Sequence, residues 1–529
     1  MSKPIHYLRQ GSYLPFLIGL LSGLYFIGLN VIGKDFSFYP GDLIDGRFNN
    51  YIMEHCYQFF SGKTTEFWNA GFMYPEKNVV SYSDNLLGTS LFYMFFRGIG
   101  ANREAAFQYW YLLICILNYS AAYVLMKHLF KNTYAAVLGA MVFAFSMALQ
   151  SQMGHAQTYT RFPMALTLLF ALKYAERWQL KWFFLTVLAL VYQMYCGIYL
   201  GFLLLFPAGI LLISLVLMQW KSAAPHFKNK NYFIKVAGLL LLNALLLLPL
   251  MLPYLERAKQ LGFYDYHNIV FSIPTPLSYF SSWGGSLFWD GLKETTIAYP
   301  AFWDHLLFAG GLASIGIFVF LLLIRKIESV AGNELKGKEF LALWLTALFT
   351  FLFFIRISDV SFYRVLFSFP GYGSMRALQR IINFELLFFG MGLAFLVQQI
   401  TRKKTWMNYL VFIFMLALFI ADNYVKQDFV HHRLVSESNE RIDALILKIK
   451  DLPKNSIVSY EPDTLLSRSM DYHLDAMLAC QQLGYKTLNG YTATSPGGYG
   501  DYWVKPDERS RKIWLEKNNQ LNTPVVVIH

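Results

Sequence analysis

Charge is scarce in this chain. Asp, Glu, Lys and Arg make up 15% of its 529 residues, against 56% hydrophobic and 18% aromatic, a balance too apolar for soluble domains of ordinary composition. Cysteine is scarcer still, and the four present form no metal-type spacing. Cys115 and Cys196 fall in apolar runs, where a small buried hydrophobe is the default. Cys56 and Cys480 share a compartment that permits a disulfide, yet two lone thiols are the simpler expectation. No internal repeat is visible, and the apolar runs carry few ionisable residues.

Long apolar runs are what the chain has in quantity. Crossing the hydrocarbon takes about 20 such residues in a helix, because unpaired backbone groups in lipid are too costly for anything but helices or closed barrels. Eleven spans are expected: 14–33, 106–126, 133–150, 162–176, 181–196, 198–219, 235–254, 303–324, 340–356, 381–400 and 406–422. The first lacks a small-residue cleavage site and reads as a retained span. Gly197 divides the almost continuous apolar stretch between Lys181 and Lys221 into two spans. The segment LLGTSLFYMFF, Leu86 to Phe96, is too short to cross and suits an interfacial helix.

A formal charge of +12 raises nucleic acid as a partner, but the cations sit elsewhere. They gather in alternate connections: Lys3 and Arg9, Lys127 and Lys131, Lys173 to Lys181, Lys221 to Lys235, Arg325 to Lys338, and Arg402 to Lys404. That is the positive-inside pattern, so the basicity is topological and the partner is a bilayer, not nucleic acid. The amino terminus is then cytoplasmic and the carboxyl terminus outside. Residues 1–422 form the transmembrane domain, with a first outer loop over 34–105. Residues 423–529 alternate helix-like and strand-like patterns and form a small extracytoplasmic α/β subdomain. The fold class is an all-α polytopic membrane protein carrying that subdomain.

Long ordered loops tend to be functional, and the outer loops hold the chemistry. In YPGDLIDGRFNNYIMEH, an amphipathic helix is expected from Phe48 onward at the membrane surface, its polar face made by Asn49, Asn50, Glu54 and Gln58. Asp42 and Asp45 precede it. Capping the helix suits Asp45 somewhat better than chemistry, whereas Asp42, at the mouth of the first span, divides evenly between a turn residue and a carboxylate facing a substrate from the lipid. Arg47 is placed to pair with either. Ser83 or Asp84 stands where it can cap the interfacial helix, a reading slightly favoured over a substrate or metal role. SQMGHAQTYTRFP brings His155, Gln157 and Arg161 to the next outer loop, where a solvated or structural role is commonest and binding of substrate hydroxyls the sharper alternative. Arg376 and Arg380 break the charge bias by standing outside. Four apart at the start of an expected helix, they would share a face and clamp a phosphate, with lipid phosphates or Glu385 as the plain alternative.

Together, GDLIDGR after the first span, YSDNLLG before the interfacial helix, GHAQ after the third span and MRALQR before a late span resemble the GT-C superfamily of membrane glycosyltransferases. More narrowly they are similar to a poorly characterised bacterial group of GT-C-like membrane proteins, as is NGYTATSPGGY in the tail. The resemblance implies transfer of a hexose or pentose from a polyprenyl-phosphate donor to a saccharide, lipid or protein acceptor outside the bacterial cytoplasmic membrane, in building cell-envelope polysaccharide. It implies an acid of the first outer loop at the catalytic centre, Asp42 first and Asp45 second, with Arg47, Asp84, His155, Gln157, Arg161, Arg376 and Arg380 on the substrate. No Asp-X-Asp pair is present, so a divalent metal stays open and no motif requires one. Two other classes remain: a transporter or flippase of lipid-linked saccharides, and an inactive assembly protein with a transferase-like body.

Overall fold

The structure is a computed structural model that describes residues 13–262, 264–322, 334–401, 406–430, 434–462 and 469–529. Of the cations that set the topology, Lys3, Arg9, Arg325, Lys326 and Arg402 to Lys404 lie outside the described residues. Each expected span is a helix. In chain order the helices are α1 (Tyr13–Ile32), α2 (Asp45–Phe60), α3 (Leu87–Gly98), α4 (Arg103–Phe130), α5 (Thr133–Phe145), α6 (Phe162–Arg177), α7 (Leu180–Cys196), α8 (Ile198–Met218), α9 (Lys230–Leu261), α10 (Gly311–Leu322), α11 (Glu334–Phe354), α12 (Ile382–Ile400) and α13 (Met407–Asn423). Seven of the described helices are long and apolar enough to cross a membrane, α5 when counted with the turn to Gln152. α7, α10 and α13 are shorter apolar helices, and they and α6 pack among the long ones. The protein is a multi-pass membrane protein.

With no hydrophobic drive between helices in lipid, close backbone approach is what binds spans together. α12 shows it on two sides. A Cβ added at Gly139 of α5 would stand 2.8 Å from the Gly390 carbonyl oxygen, and one at Gly316 of α10 would meet the backbone of Gly392 and Leu393. α12 is accordingly buried almost throughout, while α9 turns Leu241, Leu245 and Leu252 outward, as a lipid-facing helix must.

Two expectations need correction. The eighth span begins at Gly311, not 303, because Asp422 at the end of α13 accepts hydrogen bonds from the backbone N–H groups of Gly311 and Leu312, both at 3.0 Å, and caps the helix there. Residues Phe302–His305 form a 3-10 turn outside it. α2 is not half-solvated at a membrane surface: every residue from Gly46 to Cys56 is buried. Its polar face meets protein instead of water, with Glu54 bonded to Arg97 and Tyr93, and Asn49 to Gln157. All four cysteines are buried free thiols, as the simpler expectation for Cys56 and Cys480 has it.

The tail is what covers α2. Helices α14 (Val435–Ile449), α15 (Ser469–Leu483) and α16 (Glu508–Lys517) accompany a parallel sheet of β1 (Ile457–Tyr460), β2 (Lys486–Thr487) and β3 (Val526–Ile528), in the order β2-β1-β3. So small a sheet borrows its neighbours: Gly71 and Tyr74 of the first outer loop exchange backbone hydrogen bonds with Thr487, and the Trp514 indole donates to the Tyr74 carbonyl at 2.8 Å. α15 lies on α2, where Gln481 donates to the Tyr51 carbonyl at 2.9 Å and fully buried Arg47 pairs with Asp475.

Two outcomes follow from this packing. Gly390→Val is expected to destabilise the protein by roughly 1–3 kcal/mol through overpacking, seen as a lower melting temperature in detergent, whereas Gly209→Val, where nothing lies within 4 Å of an added Cβ, leaves it unchanged. Asp475→Ala strands the Arg47 charge without solvent, a loss of roughly 3–5 kcal/mol, and limited proteolysis should then release the tail faster than from the native chain.

Candidate active site

Every piece assigned to the outer side meets at one end of the helix bundle. The chain leaves α1 through Tyr39-Pro40-Gly41-Asp42, a turn that needs glycine: Gly41 has φ +114°, and an added Cβ would stand 3.2 Å from the Met153 carbonyl oxygen. Asp42 serves this turn. Its Oδ1 accepts from the backbone N–H groups of Ile44 at 2.9 Å and Gly46 at 3.1 Å, so Asp42, not Asp45, supplies the side-chain cap of α2. Its Oδ2 accepts no hydrogen bond among the described residues and faces Gly154.

Asp45 is the first residue of α2 and is gripped from two directions. The His155 Nδ1 lies 2.5 Å from Oδ2, and the hydroxyl of Tyr491 donates to Oδ1. Gln157, two residues beyond His155, accepts from Asn49 at 2.8 Å, one helical turn along α2. His155 and Gln157 thus fix the start of α2 against the loop that follows α5.

Two neighbouring carboxylates are driven apart by these surroundings. Burial and the charge of Asp45 push Asp42 above its ordinary value, against the two backbone donors and the His155 ring. Burial pushes Asp45 the same way, but the His155 hydrogen bond and charge, the Tyr491 hydroxyl and Arg380 outweigh it and bring Asp45 down to about 2.

Arg380 is the cation common to three of the acids here, Asp45, Asp84 and Asp304. Its charge opposes the upward push of burial on Asp84 and Asp304, and it helps to lower Asp45. The guanidinium lies 4.9 Å from the centre of the Tyr199 ring, and its Nε is buried without a hydrogen-bond partner among the described residues. Arg376 and Arg380 do not share a helical face, because α12 starts only at Ile382; Arg376 lies in extended chain and Arg380 in the 3-10 turn Leu378–Ile381. Both charges nevertheless reach Asp304 and Tyr199. Arg376 is exposed and donates to the Ala493 carbonyl at 3.0 Å.

The remaining expected residues are placed as follows. Asp84 does not cap α3, where Asn85 accepts from the Leu87 N–H at 2.9 Å; it faces the start of α8, with the Tyr199 N–H at 3.4 Å. Arg47 pairs with neither Asp42 nor Asp45, since its turn of α2 faces α15 and Asp475. Arg161 is buried in the bundle, bonded to Asn383 at 3.3 Å and 5.4 Å from the Phe143 ring. Two members of the centre were not anticipated. Asp304, bonded by Gln379 at 2.6 Å, was hidden in a run read as membrane span, though Asp304 and His305 at its outer end were a signal against that. Tyr491 was visible only within a quoted tail motif, and no local pattern connects it with a loop hundreds of residues away.

Two other features compete for attention and lack this character. A cavity of about 440 Å³ lies behind α2, among Glu54, Arg97, Arg103, Glu104, Asn439 and Gln481, but its main charges are already paired, Glu54 with Arg97 and Glu104 with Arg103. Among the described residues, the metal-type ligands close enough to share one ion are His128, Glu176 and Glu339, at the opposite end of α4. Lys336 Nζ is already 2.6 Å from Glu339 there. The acids of the centre offer no such three-ligand set among the described residues.

No protein-family model matches the chain, and no curated protein matches it by sequence. Solved structures do. The apo oligosaccharyltransferase of Archaeoglobus fulgidus aligns over 97% of this chain and 69% of its own, at 12% identity and a TM-score of 0.50. The oligosaccharyltransferase AglB of the same organism, in complex with an inhibitory peptide and a dolichol-phosphate, aligns over 96% and 68%, at 10% identity and a TM-score of 0.51. ArnT from Cupriavidus metallidurans, in the apo state, covers 90% of this chain and 84% of its own at 10% identity and a TM-score of 0.45. With the span pattern and the charged groups gathered at one end of the bundle, the archaeal likeness establishes that this chain has the fold of that oligosaccharyltransferase.

Proposed function

We propose that the protein is a glycosyltransferase that moves a sugar from a polyprenyl-phosphate carrier to an acceptor hydroxyl at the outer face of a bacterial cytoplasmic membrane, with the amino terminus inside and the tail outside. The observation that carries this reading is the meeting of Asp42, Asp45, Asp84, Asp304, Arg376 and Arg380 at one end of the bundle. A fold shared with a protein that binds a dolichol-phosphate supports it. The gathering of these charges in one place also favours an active enzyme over an inactive body, in which nothing would keep them together.

Asp42 is the residue placed to act as base. Its Oδ2 is free of the turn that holds Oδ1, and a carboxyl raised above its ordinary value is a better proton acceptor than one held at about 2. It takes the proton of the acceptor hydroxyl as that oxygen attacks the anomeric carbon. The bond from that carbon to the carrier phosphate breaks, and the negative charge left on the phosphate is met by Arg376 and Arg380. Asp45 stays ionised beside them. His155 and Gln157 act by holding the start of α2, Asp84 and Asp304 by balancing Arg380, and Arg47 by docking the tail.

Purified protein incubated in detergent with undecaprenyl-phosphate-linked hexoses and pentoses and a cell-envelope fraction should glycosylate the acceptor, and Asp42→Asn should abolish this by roughly 100-fold or more while retaining donor binding. Transfer that survives in Asp42→Asn removes the assignment. Detergent also separates the enzyme from a flippase, which has no vectorial task there. Because an ionised Asp42 is the active form, activity falls as pH drops through its raised pKa. Asp45→Asn removes the like charge, lowers that pKa, and should move the acid limb of residual activity to lower pH; a move to higher pH contradicts the base assignment.

A further inference from the structure

The segment Tyr491 to Thr494 belongs to the tail, yet three of its polar groups reach residues that precede the tail. The Tyr491 hydroxyl donates to Asp45 Oδ1, the Ala493 carbonyl accepts from Arg376 at 3.0 Å, and the Thr494 hydroxyl donates to the Tyr82 carbonyl at 3.4 Å. The ring of Tyr491 is wedged between Phe48 of α2, at 5.5 Å between centroids, and Trp503 of the tail, at 5.8 Å. One strap therefore touches an acid and an arginine of the same centre.

We infer that Tyr491 is a positioning residue of the active centre: with His155 it clamps the two oxygens of Asp45, so the centre is complete only when the tail is docked on α2. The inference rests on the transferase reading for its consequence in catalysis, but not for its geometry. A carboxylate with one fixed partner rotates about χ2, since that torsion is broad; a second donor on the other oxygen fixes the plane. A fixed Asp45 in turn sets the field at Asp42, whose ionisation responds to that charge. The strap's hold on Arg376 places a leaving-group cation by the same device. The groups that face Asp45 are His155 from the loop after α5, Tyr491 from the tail, Arg380 from the turn before α12, and the acids Asp42 and Asp84.

The test uses the full chain in detergent and reads Asp45 itself. Infrared difference spectra against Asp45→Asn isolate the Asp45 carboxylate band, which is titrated into acid. In Tyr491→Phe, which keeps the ring and loses the hydroxyl, Asp45 should protonate at a pH about one unit higher, and kcat should fall about tenfold with little change in KM. Phe48→Leu, which loosens the ring but keeps the hydroxyl, should lower the melting temperature without moving the Asp45 titration. If Tyr491→Phe lowers the melting temperature and leaves the titration where it was, Tyr491 is only packing and the inference is overturned. Should Asp42→Asn retain transfer, the function falls by itself, and the Asp45 titration still decides the role of Tyr491.

Discussion

A carboxylate largely withdrawn from water has to be met by donors, and the organisation of the end of the bundle that holds Asp45 follows from how that residue is met. One oxygen is held by a histidine from the loop after α5, the other by a tyrosine from the tail, and the charge is shared with an arginine preceding α12. Those three partners come from sequence positions more than a hundred residues apart. Their meeting requires α2 to be roofed by the tail, which is why a helix with a strongly polar face is buried from Gly46 to Cys56. The fully buried Arg47–Asp475 pair and the strand-like pairing of Gly71 to Tyr74 with Thr487 belong to that same docking.

The fold separates two electrostatic regimes along the bundle. At one end Lys336 pairs with Glu339 and Glu176 and lies 3.2 Å from His128, among the ends of α4, α6 and α11. At the other, acids and arginines are close enough to shift one another, and among the described residues Arg380 Nε has no hydrogen-bond partner and Asp42 keeps an oxygen outside its turn. Incomplete pairing is what a site needs if an anionic leaving group and a hydroxyl are to complete it. Asp42 and Asp45, three residues apart, are driven in opposite directions by their environment, which in the proposed reaction leaves one to take a proton and the other charged.

The spans were legible because hydrocarbon is an unforgiving solvent: each of the eleven apolar runs became a helix, and the placing of lysines foretold which loops would meet. The tail's alternation of patterns likewise yielded its helices and three short strands. What failed to show in the sequence was whatever depends on a partner from elsewhere. Amphipathicity in α2 announced two different surroundings but could not say that the polar one was protein. Local spacing suggested that Asp84 caps α3 and that Arg376 and Arg380 stack on one helix, whereas contacts with α8 and the late start of α12 decided otherwise. Asp304 was lost to an apolar run whose cap, Asp422, is supplied by a different span. Tyr491 sits in the motif NGYTATSPGGY, and nothing in that motif links it to Asp45.

The account turns on where the phosphate of a polyprenyl carrier sits. A cryo-EM structure of the full chain with undecaprenyl phosphate is predicted to place the phosphate between Arg376 and Arg380, with the Asp42 carboxylate facing it and Asp45 still held by His155 and Tyr491. Density for the phosphate at the opposite end of the bundle, near Lys127 and Lys131, would contradict the account.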